Sequence, residues 1–538
     1  MNNLFSSQKN IFVMFLLGMF CLAAYSNSLN NPFLMDDHAL ILQNRKIGDL
    51  GHLQLNPFSH QKKNDDGSNY IYYRPITHLA DYISFLMFEK NVFGYHALNL
   101  LLFFICSVIL YHFLNKINIH NTTSIMACLF FVTHPVNGVL INYTSTTGYI
   151  LLIIFTLLGF IQYLTYTDDN KISGLCLSLL FFCLSILCHE TAIFFPIYLA
   201  AILYFLKNHK LLKVFISLLP FLAIIALYLL FRMHYASLKS GVLDNIPGFG
   251  LSVQQYAVMY FLLILSYIKN LLFMTHIVLI YSAPVAGQNL ILWMALFIFL
   301  ITVLVYLIFF KWRTHPKSLA LAWMVIGFGP VTLACFSRPS MGMIISPHWL
   351  LISSIGYCLL IALLFETLFH QNHKRIFTIV TVFLLFSYVF ISRQYNRLWS
   401  NEIQYCRYML KLSPDIPLVK FWLANAYFEK GEFENAKRYF KTTIMGVEND
   451  WKAYTNLGVI EGLSGNKDME LKYYLKALEQ KPDSTDLLNN IAAVLIEQKE
   501  FSRAESILKN ILTIDPHFKE AHNNLELLNI QKKAQDNN

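Results

Sequence analysis

Two adjacent carboxylic acids, Asp36 and Asp37, follow the first apolar run of the chain, in a segment that reads NPFLMDDH. A carboxylate placed beside a hydroxyl group can act as a general base. Neighbouring side chains of an extended segment point to opposite faces, so we expect one acid to face a cavity while the other holds the loop. The alternative is a solvated acidic turn that caps the helix starting near Ala39, because Asp is common at helix starts.

Two arginines stand alone beside apolar runs. Arg74 lies in the sequence YYRP, and Arg338 is the only formal charge between Lys317 and Glu366. An arginine just outside a bilayer can bind a phosphate group through two parallel hydrogen bonds. The alternative for both is anchoring to lipid headgroups. His348 lies ten residues after Arg338, at the entry to the next apolar run.

Four further polar residues lie at the ends of apolar runs. His96 and Asn99 are three residues apart, so they share one face of a helix and line a polar cavity or pair with neighbouring helices. His134 ends another run, in the sequence HPVN. Glu190 is the only acid between positions 170 and 243. An isolated carboxylate at such a depth indicates function, and hydration by a short turn is the alternative.

The composition places these residues in a membrane protein. Of the 538 residues, 56% are hydrophobic and only 14% are charged, whereas soluble domains carry about 25% charged residues. Residues 1–391 hold 21 basic and 12 acidic side chains, and the remaining residues hold 20 of each, so the whole net charge of +9 belongs to the apolar part. This excess is typical of cytoplasmic loops and does not indicate a nucleic-acid partner.

Ten apolar runs have the length of membrane spans, for which a helix needs roughly 17 to 25 residues, and together with the shorter first run they make eleven predicted spans. We interpret the first as an uncleaved signal anchor, because many more spans follow. The runs are 11–25, 94–114, 121–138, 148–166, 172–188, 190–206, 211–232, 289–310, 317–336, 347–369 and 375–391.

Lysines and arginines in short loops predict the orientation of these spans. Basic clusters at 207–213, 311–317 and 374–375 mark loops on the cytoplasmic side. Because the first two clusters lie on the same side, an even number of crossings must separate them, and the runs 211–232 and 289–310 already supply two. We therefore predict that 252–273 does not cross the membrane and is an interfacial or re-entrant helix on the outer side. The loop 26–93 and the C-terminal part then lie outside, in a periplasm or an organelle lumen.

The C-terminal part repeats every 34 residues, which superposes Leu423 on Leu457 and Ile491. Units beginning near 417, 451 and 485 are similar to the tetratricopeptide repeat, although Glu470 replaces a small residue. Such solenoids are binding surfaces, so we expect a protein partner or an acceptor on the concave face.

We therefore predict an all-α chain. A multi-spanning membrane domain covers 1–391, a connecting helix covers 392–416, and three repeats with a capping helix form an α-solenoid over 417–533. The nine cysteines are scattered and have no metal-ligand spacing, so no zinc site or disulfide framework is predicted.

Taken together, these residues resemble the transmembrane and tetratricopeptide repeat-containing O-mannosyltransferases, which are relatives of the protein O-mannosyltransferases within the GT-C glycosyltransferases. The order and spacing of several motifs carry the resemblance over nearly the whole chain. The motifs are Asp36-Asp37, Tyr73-Arg74-Pro75, Gly94-Tyr95-His96 with Asn99, His134-Pro135-Val136, Glu190, Trp399 and the repeats.

The resemblance implies a membrane enzyme with a GT-C-like helical domain and a polyprenyl-phosphate-linked sugar as donor. By this analogy Asp36 is the base that deprotonates an acceptor hydroxyl on a protein or glycan, and Asp37 orients the loop or the acceptor. Arg74, Arg338 and His348 are then the candidates for binding the phosphate. His96, Asn99, His134 and Glu190 complete the predicted substrate site. No metal ligand is assigned, and a requirement for a divalent metal is left open.

Two departures from the family pattern bear on this assignment. The family usually has a lysine where this chain has His189, and an arginine and a tyrosine near His348-Trp349. The alternative function is a non-enzymatic, membrane-anchored scaffold for envelope assembly that uses the repeats. A transporter is the third hypothesis, which is weakened because no central span carries the paired charges of ion pathways. The membrane is a bacterial inner membrane or the endoplasmic reticulum.

Overall fold

The apolar runs fold as helices that pack against one another. The computed structural model describes residues 8–42, 48, 73–235, 253–274, 278–282, 290–329, 344–369, 374–446 and 450–536. By its internal contacts the chain divides into two compact units, and the described residues up to Tyr405 belong to the first and those from Cys406 to the second.

The first unit is helical apart from two-residue strands. β1 (Tyr281–Ser282) pairs antiparallel with β2 (Ile344–Ile345), with Tyr281 opposite Ile345. The all-α prediction therefore holds within the described part of this unit except for this pair. The helices are α1 (Gln8–Tyr25), α2 (Pro75–Phe88), α3 (Val92–Lys116), α4 (Asn121–Thr133), α5 (Val139–Asn142), α6 (Thr147–Asp169), α7 (Ile172–Cys188), α8 (Phe195–Phe205), α9 (Leu211–Tyr235), α10 (Val253–Phe273), α11 (Leu290–Val305), α12 (Pro316–Ile326), α13 (Leu351–Phe369) and α14 (Lys374–Leu398).

Within the described ranges, seven helical segments are long and apolar enough to cross a membrane. The predicted span 121–138 corresponds to two consecutive helical segments, α4 and 135–142, whose axes are bent by 52° relative to each other. Counted as one span, this pair would be the eighth. The other three predicted spans coincide with shorter apolar helices, namely α7, the segment Glu190–Phe205, and α12. The count of eleven spans therefore stays a prediction, as does the interfacial placement of 252–273, where α10 forms.

Side chains on several of these helices show which faces meet lipid. Ile291 in α11 is 85% exposed, and Phe310 just beyond α11 is 72% exposed. Large apolar side chains in such positions would be unfavourable in water, and a bilayer removes that penalty. An aromatic core lies between α6, α7, α8 and α9, on the faces of these helices that point into the protein. Within it the rings of Phe160 and Phe195 stack with their centroids 4.3 Å apart.

A buried cluster of three asparagines ties the acidic loop to the rest of the first unit. Nδ2 of Asn31 donates to Oδ1 of Asn142 at 2.8 Å, and Nδ2 of Asn142 donates to Oδ1 of Asn396 at 2.7 Å. Asn31 also donates to the backbone carbonyl of Asn396 at 2.9 Å. Buried amides are stable only when they are paired, so this cluster fixes the start of the loop against α5 and α14.

Helix α2 packs closely against the start of α6, at Gly148. A Cβ atom on Gly148 would lie 2.3 Å from Oγ1 of Thr77, which donates to the carbonyl of Cys188 at 2.8 Å. We expect Gly148→Ala to destabilise the protein by about 1–3 kcal/mol, because overpacking forces α2 to move. Thermal unfolding in detergent measures this effect. The double variant Gly148→Ala/Thr77→Ala removes the clashing atom, so a loss equal to the sum of the two single losses would contradict the packing argument.

The second unit consists of antiparallel helix pairs. Its pairs start near the positions where the 34-residue repeat predicts units. They are α16 (Pro417–Glu429) with α17 (Phe433–Gly446), α18 (Trp451–Leu463) with α19 (Lys467–Gln480), and α20 (Thr485–Glu497) with α21 (Phe501–Ile514), followed by α22 (Lys519–Asp536); α15 (Glu402–Leu412) runs from the first unit into the second.

Glu470 occupies the position of the second repeat where a small residue is expected. Its side chain is 8% exposed and accepts a hydrogen bond from Nζ of Lys467 at 3.0 Å. The facing residue is Gly462, which leaves room for a longer side chain. The departure is therefore compensated locally by an ionic partner and by a glycine.

Candidate functional site

The two acids of the loop point in different directions. Met35 adopts a left-handed backbone conformation with φ 58°, and the amide of Asp37 donates to the carbonyl of Leu34 at 3.1 Å, which closes a tight turn. This turn leaves Asp36 exposed and buries Asp37 completely. Oδ2 of Asp36 accepts a hydrogen bond from the hydroxyl group of Tyr143 at 2.8 Å. Asp36 is therefore an accessible carboxylate that is held in place by a phenol.

Asp37 stabilises the turn at 144–146 that precedes α6. Its carboxylate accepts hydrogen bonds from the amide of Thr144 at 3.2 Å and from the amide of Ser145 at 3.0 Å, and also from the hydroxyl group of Ser145. Burial raises the pKa of Asp37 to about 6, although these hydrogen bonds lower it. Because both carboxylate oxygens of Asp37 accept hydrogen bonds, the adjacent pair does not offer two open carboxylates to a divalent cation.

Glu402, at the start of α15, holds the same loop from the other side. Its Oε1 accepts a hydrogen bond from the amide of Met35 at 3.1 Å, and its Oε2 lies 3.4 Å from Nε2 of His38. Nε2 of His38 is also 2.8 Å from the carbonyl of Phe33. The sequence analysis missed Glu402, because 366 residues separate it from Asp36.

A third acid, Asp81 in α2, belongs to the same region. Burial raises its pKa from 3.8 to about 7, and the charge of Asp37 adds to the increase. Asp81 was likewise not predicted from the sequence. Its position close after Arg74, in the predicted outer loop, is the signal that was available.

The raised pKa of Asp81 predicts a pH-dependent stability. Asp81 keeps its proton in the folded protein at pH values where the unfolded chain has lost it, so the free energy of unfolding falls as the pH rises from about 4 to about 7. Asp81→Asn removes this loss and should raise the melting temperature at pH 8 but not at pH 4. The upper bound on this pH-dependent gain in the free energy of unfolding is about 4 kcal/mol, at roughly 1.4 kcal/mol per pKa unit. The partial exposure of Asp81 makes the expected gain smaller. If Asp81→Asn changed the melting temperature by the same amount at pH 4 and at pH 8, the prediction would be contradicted.

Arg74 and Glu190 form a bidentate ion pair. Nε of Arg74 donates to Oε2 of Glu190 at 2.9 Å, and Nη2 donates to Oε1 at 2.7 Å. The two side chains are 22% and 27% exposed, so the pair is partly desolvated. Arg74 precedes α2, and Glu190 follows the turn after α7. The pair therefore ties the outer loop to the membrane helices and holds the guanidinium group in one orientation.

His189 lies beside this pair and is deeply buried. Burial lowers its pKa to about 3, and the positive charge of Arg74 adds to the decrease, so the imidazole is neutral. The ring of Tyr149 lies between two imidazoles, with its centroid 4.3 Å from that of His189 and 5.0 Å from that of His348. Nδ1 of His348 is 2.7 Å from the hydroxyl oxygen of Ser346. Two predicted site residues, Glu190 and His348, thus meet through His189 and Tyr149.

One short segment connects the acids with the Arg74–Glu190 pair. Tyr143 and Ser145 contact the two acids, and Tyr149 contacts the two histidines. Four residues separate Ser145 from Tyr149, which is about 6 Å along a helix axis. The segment at the entry to α6 therefore contacts both the exposed carboxylate and the histidine beside the Arg74–Glu190 pair.

His96, Asn99 and His134 bind backbone carbonyl groups in the interior. The nitrogens of His96 lie 2.6 Å from the carbonyl of Ile141 and 2.9 Å from that of Asn31, and Asn99 donates to the carbonyl of Leu140 at 3.1 Å. Nε2 of His134 lies 3.0 Å from the carbonyl of Leu271. All three side chains are almost completely buried. The structure thus places His96 against the start of the acidic loop and Asn99 and His134 against other backbone segments, and none of their hydrogen bonds among the described residues is to Arg74 or Glu190. Arg338 lies outside the described residues.

Two relatives cover most of this chain. It is 23% identical to protein O-mannosyl-transferase F38B6.6 of Caenorhabditis elegans, over 78% of this chain and 60% of that protein. It is also 23% identical to protein O-mannosyl-transferase TMTC3 of Homo sapiens, over 93% of this chain and 60% of that protein. A family model for the tetratricopeptide repeat matches residues 419–444 and 452–484. The chain is similar to these protein O-mannosyl-transferases and contains tetratricopeptide repeats.

This finding confirms the resemblance that the motifs predicted. The O-mannosyltransferase-like chain spans about 60% of the length of these two relatives. A more local match, 36% identical over 75 residues, links it to E3 SUMO-protein ligase RanBP2 of Homo sapiens and covers 14% of this chain and 2% of that protein.

Proposed function

We propose that the chain is a membrane glycosyltransferase. It moves a sugar, with mannose as the first candidate, from a polyprenyl-phosphate donor to a hydroxyl group of a protein or glycan acceptor at the outer or lumenal membrane face. The observation that carries this proposal is the exposed carboxylate of Asp36, which Tyr143 holds, while Tyr149 in the same segment contacts His189 beside the Arg74–Glu190 pair. The names of the two relatives support the same reaction class.

In the proposed reaction, Asp36 takes the proton of the acceptor hydroxyl group. The acceptor oxygen attacks the anomeric carbon of the donor, the bond from that carbon to the phosphate oxygen breaks, and the lipid phosphate leaves with both electrons. Attack from the side opposite the leaving group inverts the anomeric configuration. Positively charged groups near the phosphate stabilise the charge that develops on the leaving oxygen.

Each other predicted site residue has a part in this proposal. Asp37 positions the loop through the turn at 144–146, and His96, Asn99 and His134 position the backbone beneath it. Glu190 orients Arg74. Arg74, Arg338 and His348 remain the candidates, carried over from the family resemblance, for contacts with the phosphate.

Reconstitution tests the proposal directly. The purified full chain in liposomes, supplied with radiolabelled polyprenyl-phosphate mannose and a serine- and threonine-rich peptide, is expected to label the peptide. NMR of the product is expected to show an inverted anomeric centre. Equal labelling from a nucleotide sugar in the absence of polyprenyl phosphate, or a retained configuration, would contradict the proposed donor and mechanism.

The proposal places the repeats on the outer or lumenal side. The even number of crossings between the basic loops supports this orientation. In sealed vesicles whose cytoplasmic face is outward, protease is expected to spare the segment from Cys406 onward until detergent is added. Digestion without detergent would overturn the orientation.

A non-enzymatic scaffold is the second candidate function. It is favoured by two amide pairs at 2.9 Å, one from Asn456 to Asn425, which links the first helices of the first two repeats, and one from Asn524 to Asn489, which links the last helix to the first helix of the third repeat. Such pairs align polar groups along a surface that can hold a polypeptide. A scaffold loses its function when the chain is truncated after Ser392 and tolerates Asp36→Asn, whereas the enzyme does not tolerate Asp36→Asn.

A further inference from the structure

Arg232 lies at the end of α9, beside the Arg74–Glu190 pair. Its Nη1 donates to the hydroxyl oxygen of Tyr228, one helical turn earlier, at 3.1 Å. The ring of the preceding residue, Phe231, packs 5.5 Å from the ring of Tyr73, which is the neighbour of Arg74. The end of α9 is thereby held against the segment that carries Arg74.

The charges in this cluster do not cancel. Glu190 uses both carboxylate oxygens to bind Arg74, and His189 is neutral. Among the residues that the structure describes, no carboxylate forms an ion pair with Arg232, which is partly buried. A desolvated guanidinium group without a counter-ion is unfavourable, so the cluster keeps one net positive charge that favours an anion.

His189 contributes a hydrogen-bond donor that lacks an acceptor. Its Nδ1 accepts a hydrogen bond from the amide of Thr191 at 3.2 Å, so the proton of the neutral ring is on Nε2. His189 is only 4% exposed, and Nε2 has no hydrogen-bond partner within the described part of the chain. A buried N–H group without a partner is rare and costs about 1–3 kcal/mol.

The surroundings of Arg232 favour an anion that is attached to a lipid. Leu229, three residues before Arg232 and therefore on the same face of α9, is 42% exposed, so apolar surface lies next to the guanidinium group. A free phosphate or a nucleotide gains nothing from such a surface, whereas an acyl or prenyl chain buries against it.

We propose that Arg232 and the Nε2–H group of His189 bind the phosphate of a lipid-linked donor beside Arg74, which Glu190 orients. This inference rests on the proposed function, because it identifies the anion as the phosphate of a polyprenyl carrier.

Binding of the sugar-free carrier tests the proposal. The purified full chain in nanodiscs is titrated with a long-chain polyprenyl phosphate, and bound lipid is counted by native mass spectrometry. Arg232→Gln is expected to weaken binding at least tenfold, and His189→Phe, which keeps the ring beside Tyr149, severalfold. Arg313→Gln is the control, because Arg313 is an exposed arginine over the ring of Tyr204 and is expected to leave binding unchanged.

Two further arms separate the possible sources of the phosphate. Phosphatidic acid and inorganic phosphate are titrated in the same way, and the Arg232→Gln substitution is expected to change the binding of neither compound. Equal loss of phosphatidic acid binding in Arg232→Gln would overturn the assignment to the donor and indicate a general headgroup site. Unchanged polyprenyl-phosphate binding in Arg232→Gln would overturn the site itself. If Arg232→Gln does not fold, Tyr228→Phe, which frees the guanidinium group, is expected to weaken binding about threefold, and unchanged binding would again overturn the proposal.

Failure of the inference and failure of the proposed function give different results. Arg232-dependent binding of polyprenyl phosphate without any sugar transfer supports the site and contradicts the glycosyltransferase. Transfer that proceeds in Arg232→Gln with an unchanged KM for the donor overturns the site and leaves the glycosyltransferase standing.

Discussion

Asp36→Asn is expected to lower the rate of sugar transfer by about 10²–10⁴-fold, which is the usual contribution of a positioned general base. The substitution keeps the shape of the side chain and an oxygen that can accept the hydrogen bond from Tyr143. It removes only the ability to take a proton from the acceptor. Because the side chain is exposed, no buried charge is lost, and the melting temperature is expected to stay within a degree or two. Single-turnover transfer in proteoliposomes measures the chemical step.

Asp169→Asn is the matched control for this experiment. Asp169 is an acid at the far end of α6, 46% exposed and 3.6 Å from Lys171, and its loss is expected to leave transfer unchanged. Asp37→Asn provides a contrast. It replaces one of the two carboxylate oxygens that accept hydrogen bonds from the turn at 144–146 by an NH₂ group, which cannot accept, and is therefore expected to lower the melting temperature. Normal transfer in Asp36→Asn, with the donor still bound, would remove Asp36 from the role of base.

Separating Arg74 from Glu190 is expected to give the largest loss of stability. Removal of one partner of a fully buried pair costs about 3–5 kcal/mol, because the other charge is left without compensation. The side chains here are 22% and 27% exposed, so water screens part of this loss, and we expect about 2–3 kcal/mol for Arg74→Gln or for Glu190→Gln. Thermal and denaturant unfolding in detergent measure the change.

A double-mutant cycle isolates the interaction. The variant Arg74→Gln/Glu190→Gln is expected to be less destabilised than the sum of the single variants, because neither charge is then left alone. The pair of Lys171 and Asp169, which is 70% and 46% exposed, serves as the control and is expected to contribute less than about 1 kcal/mol. Additive losses at Arg74 and Glu190 would show that the two side chains do not stabilise each other.

Local patterns in the sequence were sufficient for much of the architecture. Long apolar runs predict helices because a backbone in lipid must satisfy its own hydrogen bonds, and helices occupy the described parts of all eleven runs. The 34-residue period predicts helix pairs because each repeat buries its apolar face against the next. The motifs also predicted the resemblance to O-mannosyltransferases, and two protein O-mannosyl-transferases are 23% identical to this chain over most of its length.

The arrangement of the site depended on contacts between residues that are far apart in the chain. Asp36 and Asp37 are neighbours of the same type, yet one is exposed and the other is buried, because only Asp37 meets the turn at 144–146. Arg74 meets Glu190 across 116 residues. No spacing rule predicts such a pair, because it forms only when separate helices pack.

The sequence by itself thus determined which segments are helical, how the repeats begin, and which residue types are available for chemistry, because these properties follow from local periodicity and composition. Only the tertiary structure decided that Arg74 pairs with Glu190, and that, among the described residues, Arg232 has no ion-pair partner and Nε2 of His189 has no hydrogen-bond partner. The physical reason is that pairing and desolvation depend on distances through space, and these are set by the packing of helices and not by order along the chain.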